Sequence, residues 1–241
     1  MPKKFEARRS GDHLSAGGKT SSMSMRTKIR AREPIGRSFG LIRGKFPSRK
    51  MGRMIHWESQ LERDAVLLLE FSLRVIEYRE QPFTIYYTAN GDSRRYTPDF
   101  EVTLDSGEII VAEVKPAKRI QEPALKEKFG HIQEHFNRRQ RPFCILTEAE
   151  IRRPELLANL RMLLRHRDKS LTNFQRRQFA MHLSTLKSFS FGCLTKEFGD
   201  PAIVWVLLDE RLIFCDLTVR VTDQTVFVLN LTGGGDDYLH F

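Results

Sequence analysis

The sequence predicts an α/β domain, a mixed sheet flanked by helices, followed by a smaller and mainly helical C-terminal unit. Three observations carry this. Apolar runs of strand length alternate with amphipathic helical stretches between residues 57 and 146, the order a helix-flanked sheet requires. Beyond residue 150 the pattern changes to successive helical segments and then two short strand-like runs. Ahead of both, residues 1–53 hold fifteen Lys or Arg against Glu6, Asp12 and Glu33, whereas the rest of the 241-residue chain carries twenty-five basic and twenty-seven acidic side chains. The net charge of +10 therefore resides in a Gly-, Ser- and Arg-rich arm with too little apolar surface to fold alone. The chain divides accordingly into an arm at 1–53, a domain at 54–150 and a unit at 151–241.

The elements follow in order. Leu41-Ile42 is an apolar pair too short for a strand, and the basic residues around it show no period. A helix is expected over 57–70, where Trp57, Leu61, Ala65, Leu68 and Leu69 recur near the helical period. Glu58 and Glu62 then fall one turn apart on one face. Strands are expected near 73–78 and at 83–88, and Asn90-Gly91-Asp92 signals a hairpin into 94–104. Asp105-Ser106-Gly107 turns the chain into Ile109-Ile110-Val111-Ala112-Glu113-Val114-Lys115, whose apolar start suits a strand buried on both faces. Leu125, Phe129, Ile132 and Phe136 mark an amphipathic helix over 121–139, and 143–146 is a further buried strand. In the C-terminal unit helices are expected at 154–168, at 173–187 behind a Thr172 cap, at 191–198 and at 201–212. Strand-like runs at 213–217 and 225–229 flank Thr222-Asp223-Gln224, so several helices and a two-stranded ribbon suggest a winged-helix-like unit. Residues 201–212 are too apolar for a helix that reads the major groove, which favours protein docking over DNA reading. Gly233-Gly234-Gly235 lacks the following helix that a phosphate loop needs.

Chemistry concentrates in Tyr96-Thr97-Pro98-Asp99-Phe100 and Ala112-Glu113-Val114-Lys115-Pro116. Strand alternation points Glu113 and Lys115 the same way and Val114 the other. A carboxylate and an ammonium at the end of a buried strand are costly unless paired or metal-bound. Alone, Glu-x-Lys reads as a structural ion pair. An Asp fourteen positions upstream changes the balance, because phosphodiester hydrolysis needs a hard cation held by carboxylate oxygens and a positive charge where the phosphorane oxygens gain charge. The pattern resembles that of the metal-dependent PD-(D/E)xK nucleases, which implies a restriction-endonuclease-like fold in which a helix often donates a third carboxylate. Glu62 is the candidate for that role. For Glu58 the preferred reading is a solvated acidic first turn favoured by the helix dipole.

The ordered series Ser59-Gln60-Leu61-Glu62-Arg63-Asp64, Leu69-Glu70-Phe71, Tyr78-Arg79-Glu80-Gln81-Pro82, Tyr96-Thr97-Pro98-Asp99-Phe100 and Glu113-Val114-Lys115-Pro116 resembles the TnsA endonuclease subunit of heteromeric bacterial transposases over residues 55–150. The resemblance implies a catalytic core of Glu62, Asp99 and Lys115, with Glu113 where some members carry Gln. It implies a Mg²⁺-dependent nick (Mn²⁺ substituting) of the 5′ strand at transposon ends. It implies double-stranded DNA, a DDE-type transposase subunit and an AAA+ regulatory ATPase as partners. Glu62, Asp99 and Glu113 are the expected metal ligands, with Lys115 positioning water or stabilising charge. A freestanding restriction- or resolvase-like nuclease and a non-catalytic DNA-binding assembly module are the alternatives. Beside such a motif the arm reads as a DNA-backbone contact rather than a solubilising tail. Cys144, Cys193 and Cys215 are widely spaced and form no CxxC pair, and no apolar run reaches membrane-spanning length, so a reduced, cytoplasmic and nucleoid-associated protein is expected. His131 and His135, one helical turn apart, read as a solvated helix face rather than a metal site.

Overall fold

The computed structural model describes Ala31, residues 42–186 and residues 189–230. Its strands are β1 (Gly44–Ser48), β2 (Arg53–Trp57), β3 (Val75–Glu80), β4 (Ile85–Ala89), β5 (Asp92–Tyr96), β6 (Phe100–Leu104), β7 (Ile109–Val114), β8 (Phe143–Leu146), β9 (Phe189–Ser190), β10 (Ile213–Phe214) and β11 (Val226–Leu229). Its helices are α1 (Gln60–Phe71), α2 (Ala117–Ile120), α3 (Pro123–Asn137), α4 (Glu148–Ile151), α5 (Pro154–His166), α6 (Asn173–Ser184), α7 (Phe191–Phe198) and α8 (Pro201–Asp209).

The central sheet has the order β3-β6-β7-β8, with β6 antiparallel to both neighbours and β7 parallel to β8. A parallel pair needs a crossover, and α3 supplies it. Along β7, Ile110, Ala112 and Val114 pack into the core that includes α1, while Val111 packs against Phe129, Ile132 and Phe136 of α3. Both faces are covered, which is why the run 109–114 is nearly all apolar. This is the expected mixed sheet flanked by helices, consistent with a restriction-endonuclease-like fold.

Three boundaries differ from expectation. The first strand among the described residues begins nine residues before the expected end of the arm, because β1 pairs with β2 in register from Gly44↔Trp57 to Ser48↔Arg53. Phe46 and Ile55 are buried against α1, whereas Lys45 and Met54 point outward, so charged residues concealed a period-2 strand. Gly52 turns the hairpin at φ 62°, a backbone most side chains avoid. Residues 1–41, apart from Ala31, lie outside the described residues, and with them most of the expected arm. The helix expected from Trp57 starts at Gln60, because Ser59 accepts the Glu62 N–H as N-cap and Trp57 belongs to β2. The strand expected over 94–104 is two strands: β5 pairs with β4 about the Asn90-Gly91 turn, and β6 joins the central sheet. Thr97-Pro98-Asp99 separates them, since Pro98 has no N–H to give a ladder.

The expected boundary at residue 150 is crossed by one continuous core. Leu156, Leu157, Leu160 and Leu163 of α5 join the same apolar cluster as Leu61 to Phe71 of α1 and Trp205 to Leu208 of α8. The α5 helix thus belongs with the sheet domain as much as with the C-terminal unit. That unit runs α6, β9, α7, α8, β10, β11, with β11 between β10 and β9. It has a three-stranded sheet rather than the expected two-stranded ribbon, because Phe189–Ser190 adds a short strand. The residues 202 and 204–208 of α8 are all buried. A helix enclosed by α5 and α7 cannot lie in a DNA groove.

Candidate active site

The break between β5 and β6 places Asp99 beside the end of β7. The Asp99 Oδ2 accepts the Val114 N–H at 2.8 Å, and the Asp99 carbonyl accepts the Gln81 N–H at 2.8 Å. Gln81 holds a left-handed φ of 45° to make that turn. Glu113 and Lys115 do point the same way: Lys115 Nζ lies 2.8 Å from Glu113 Oε1 and 3.6 Å from Asp99 Oδ2. The other Glu113 oxygen, Oε2, accepts the Tyr96 hydroxyl at 2.6 Å. One ammonium and one phenol therefore hold a carboxylate pair at the end of a strand whose neighbours are apolar.

Glu62 reaches the same cleft from the start of α1. The cleft, of about 300 Å³, is lined by Glu58, Glu62, Tyr96, Asp99, Glu113 and Lys115, and also by Arg95 and Lys128. Glu62 Oε2 accepts the Glu58 N–H at 2.8 Å. Glu58 precedes the N-cap and so lies outside the helix, not in its first turn. It is half-buried, and its Oε1 is enclosed without a hydrogen-bond partner, which does not match a solvated helix start. The four residues singled out in the sequence, Glu62, Asp99, Glu113 and Lys115, thus share one cleft. They do not yet form a ligand set: among the described residues no three His, Cys, Asp or Glu side chains are grouped to hold a metal ion. Asp99 and Glu113 close on Lys115, while Glu62 is engaged with Glu58. His131 and His135 form no such group either.

The electrostatics follow from burial and like charge. Burial first and Glu113 second push the Asp99 carboxyl well above the usual carboxylate range. Burial likewise raises Glu62, against hydrogen bonds from Glu58 and Ser59 that lower it. Burial opposes the Lys115 charge, but Asp99 and Glu113 outweigh it and hold the ammonium above its ordinary value. Lys115 is therefore held as an ammonium beside the two carboxylates.

Two further residues are not apparent as site residues from the sequence. Tyr96 is legible there only as the start of the Asp99 motif; its role depends on the hairpin carrying its hydroxyl to Glu113. Burial and then the Glu113 charge push this phenol far above its ordinary range, so it stays a donor. Lys128 of α3 brings a second ammonium to the cleft, 5.2 Å from the Tyr96 ring centre. Removing only the Tyr96 hydroxyl with Tyr96→Phe should slow cleavage about tenfold, a loss of about 1.4 kcal/mol in barrier terms, and leave DNA affinity unchanged. Equal single-turnover rates for Tyr96→Phe and wild type would show that Glu113 needs no such anchor.

Residues 72–148 match the family model described as TnsA-like endonuclease N terminal. The match contains Asp99, Glu113 and Lys115, and the fold adds Glu62 from outside it. A comparison with curated proteins finds no match.

Proposed function

We propose that this chain, whose residues 72–148 match the TnsA-like endonuclease N-terminal domain, is the DNA-cutting subunit of a heteromeric transposase that nicks the 5′ strand at transposon ends with Mg²⁺. The observation that carries the reading is the convergence of Asp99, Glu113 and Lys115 at the end of β7, with Glu62 across the same cleft. The donor set is all oxygen, which suits a hard cation, and magnesium commonly takes only one or two carboxylates, filling its remaining positions with water and substrate phosphate. Asp99 and Glu113 are the pair that would hold it, and Glu62 would contribute through water or by turning from Glu58. Bound there, the ion would polarise the phosphodiester and acidify a water.

The chain's own residues account for the rest. Lys115, held protonated, donates toward a phosphate oxygen and stabilises the charge that develops on it. Tyr96 fixes one oxygen of Glu113, and the other lies 2.8 Å from the Lys115 ammonium. The Val114 N–H fixes Asp99 in the same way. Lys128 and Arg95 add positive charge at the mouth of the cleft, where a phosphate backbone would enter.

The partners follow from the family reading: duplex DNA at the transposon ends, a DDE-type transposase and an AAA+ ATPase. The enclosure of α8 removes that helix as a reader of bases, and docking of a partner protein by the C-terminal unit is part of the same family reading. Among the described residues no helix is long and apolar enough to cross a membrane; action on nucleoid DNA in the cytoplasm is part of the same proposal. Mapping cuts on end-labelled transposon-end DNA tests the reading: partners should be required, and the cut should lie on the 5′ strand. Efficient cutting by the chain alone would instead indicate a freestanding nuclease. Deleting residues 1–41, which stops short of β1, should weaken binding to all duplexes alike and flatten its salt dependence, because phosphate contacts release counterions whatever the sequence. An unchanged slope of log affinity against log salt would assign the arm another role.

A further inference from the structure

Two residues beyond Glu62, α1 carries a carboxylate that the cleft does not use. Asp64 is buried, with 4% of its side chain exposed, yet it gathers guanidinium groups from three places in the chain. Arg63 Nη2 donates to Oδ1 at 2.9 Å, and Arg161 Nη2 of α5 donates to the same oxygen at 3.2 Å. Arg152, at the end of α4, donates Nε to Oδ2 at 3.0 Å. One negative charge against three positive leaves a local surplus of positive charge, reduced by Glu148, whose carboxylate Arg152 also faces. Burial pushes Asp64 up, but the hydrogen bonds from Arg63 and Arg152 outweigh it and hold the carboxyl below its usual range.

A purely structural tie between α1, α4 and α5 does not explain this arrangement. Such a tie needs the carboxylate's oxygens satisfied, and it does not need the guanidinium groups to stay open to solvent. Here the three arginine side chains remain 43%, 44% and 52% exposed. Each guanidinium has five N–H donors and gives only one or two to Asp64. The cluster also adjoins the candidate centre through Arg152, which lines a second groove together with Glu58, Glu62, Lys115, Arg119 and Glu148.

We propose that Arg63, Arg152 and Arg161, held in place by Asp64, form a clamp for backbone phosphates of duplex DNA beside the cleft. The planar fork of arginine matches phosphate oxygens in pairs. Prior anchoring on Asp64 removes part of the entropy lost when flexible side chains are ordered on a ligand. The identity of the ligand as DNA rests on the nuclease reading of the cleft.

The test uses the full chain and a duplex DNA fragment in EDTA, so that binding is read without cleavage. Arg152→Gln/Arg161→Gln should weaken binding and make the slope of log affinity against log salt shallower by about two, roughly one for each phosphate no longer neutralised. Arg138→Gln/Arg139→Gln makes the same charge change on the exposed end of α3 and should leave the slope as in wild type. A slope unchanged in the first variant, or changed equally in both, overturns the clamp. Thermal melting checks folding, and if the double variant melts early, Arg161→Gln alone should flatten the slope by about one. Cleavage of transposon-end DNA by the wild-type chain, with its partner subunits and Mg²⁺ present, is scored separately. Its absence would overturn the nuclease reading while the salt slopes still decide the clamp.

Discussion

Asp99→Ala and Lys115→Ala should each lower strand cleavage by a hundredfold or more, roughly the loss seen when one electrostatic contact to a transition state is removed. Both side chains act at the cleft rather than in the core: Lys115 keeps 28% of its side chain exposed and Asp99 17%. Folding and duplex affinity should therefore persist. The two variants remove opposite charges, so a general electrostatic effect on binding would move their affinities in opposite directions, whereas loss of chemistry lowers both rates. Glu62→Ala should cost less, since its carboxylate is engaged with the Glu58 N–H. Single-turnover rates on transposon-end DNA, with anisotropy for affinity, measure these separately. A wild-type rate in Asp99→Ala would remove the cleft from the mechanism.

Glu70→Ala should be the most destabilising single change outside the cleft, at about 3 kcal/mol or more, because it leaves a buried cation and several donors without their acceptor. Glu70 is 1% exposed. Its Oε2 accepts Ser48 Oγ at 2.6 Å and the Tyr78 hydroxyl at 2.7 Å, and its Oε1 accepts Arg167 Nη1 at 2.6 Å and the Arg49 N–H at 2.9 Å. It therefore joins the β1–β2 hairpin, β3 and the end of α5 to α1. Burial pushes its carboxyl up, but these hydrogen bonds outweigh it and hold the folded-state pKa below the ordinary 4.5. A depressed folded pKa gives stability that is fully present above the unfolded value and is lost as pH falls through the folded one. Denaturant midpoints should thus decline below about pH 4.5 in wild type, and less steeply in Glu70→Gln. Parallel declines would mean that other carboxylates set the acid sensitivity.

What is legible in the sequence is whatever depends on local period and local spacing. The buried strand 109–114, the amphipathic α3 and the Asn90-Gly91 turn declare themselves in apolar pattern and turn chemistry. Glu113 and Lys115 share a side because strand geometry dictates it, and their place beside Asp99 follows from a recurring motif. The first hairpin is not legible, because Lys45, Pro47 and Arg53 break the appearance of a strand while Phe46 and Ile55 are its only buried apolar residues. Nor is the split at Pro98, where a continuous β-rich run hides a change of sheet. Tyr96, Lys128 and the Asp64 cluster are tertiary facts. Asp64 lies 88 positions from Arg152 and 97 from Arg161, and no window of sequence relates them. Glu58 departs from expectation because Ser59 caps α1, which leaves Glu58 ahead of the helix and among the residues that line the cleft.

Cleavage of DNA by a metal ion bound in the Asp99, Glu113 and Lys115 cleft is the central claim. Its most direct test is cleavage of end-labelled transposon-end DNA by metal-stripped protein with its partner subunits, titrated with Mg²⁺ or Mn²⁺. No cutting is expected in EDTA, a single nick at each end should appear as metal is restored, and Asp99→Ala should not recover at any metal concentration. Cutting that proceeds unchanged in EDTA, or that metal restores equally to Asp99→Ala, would contradict it.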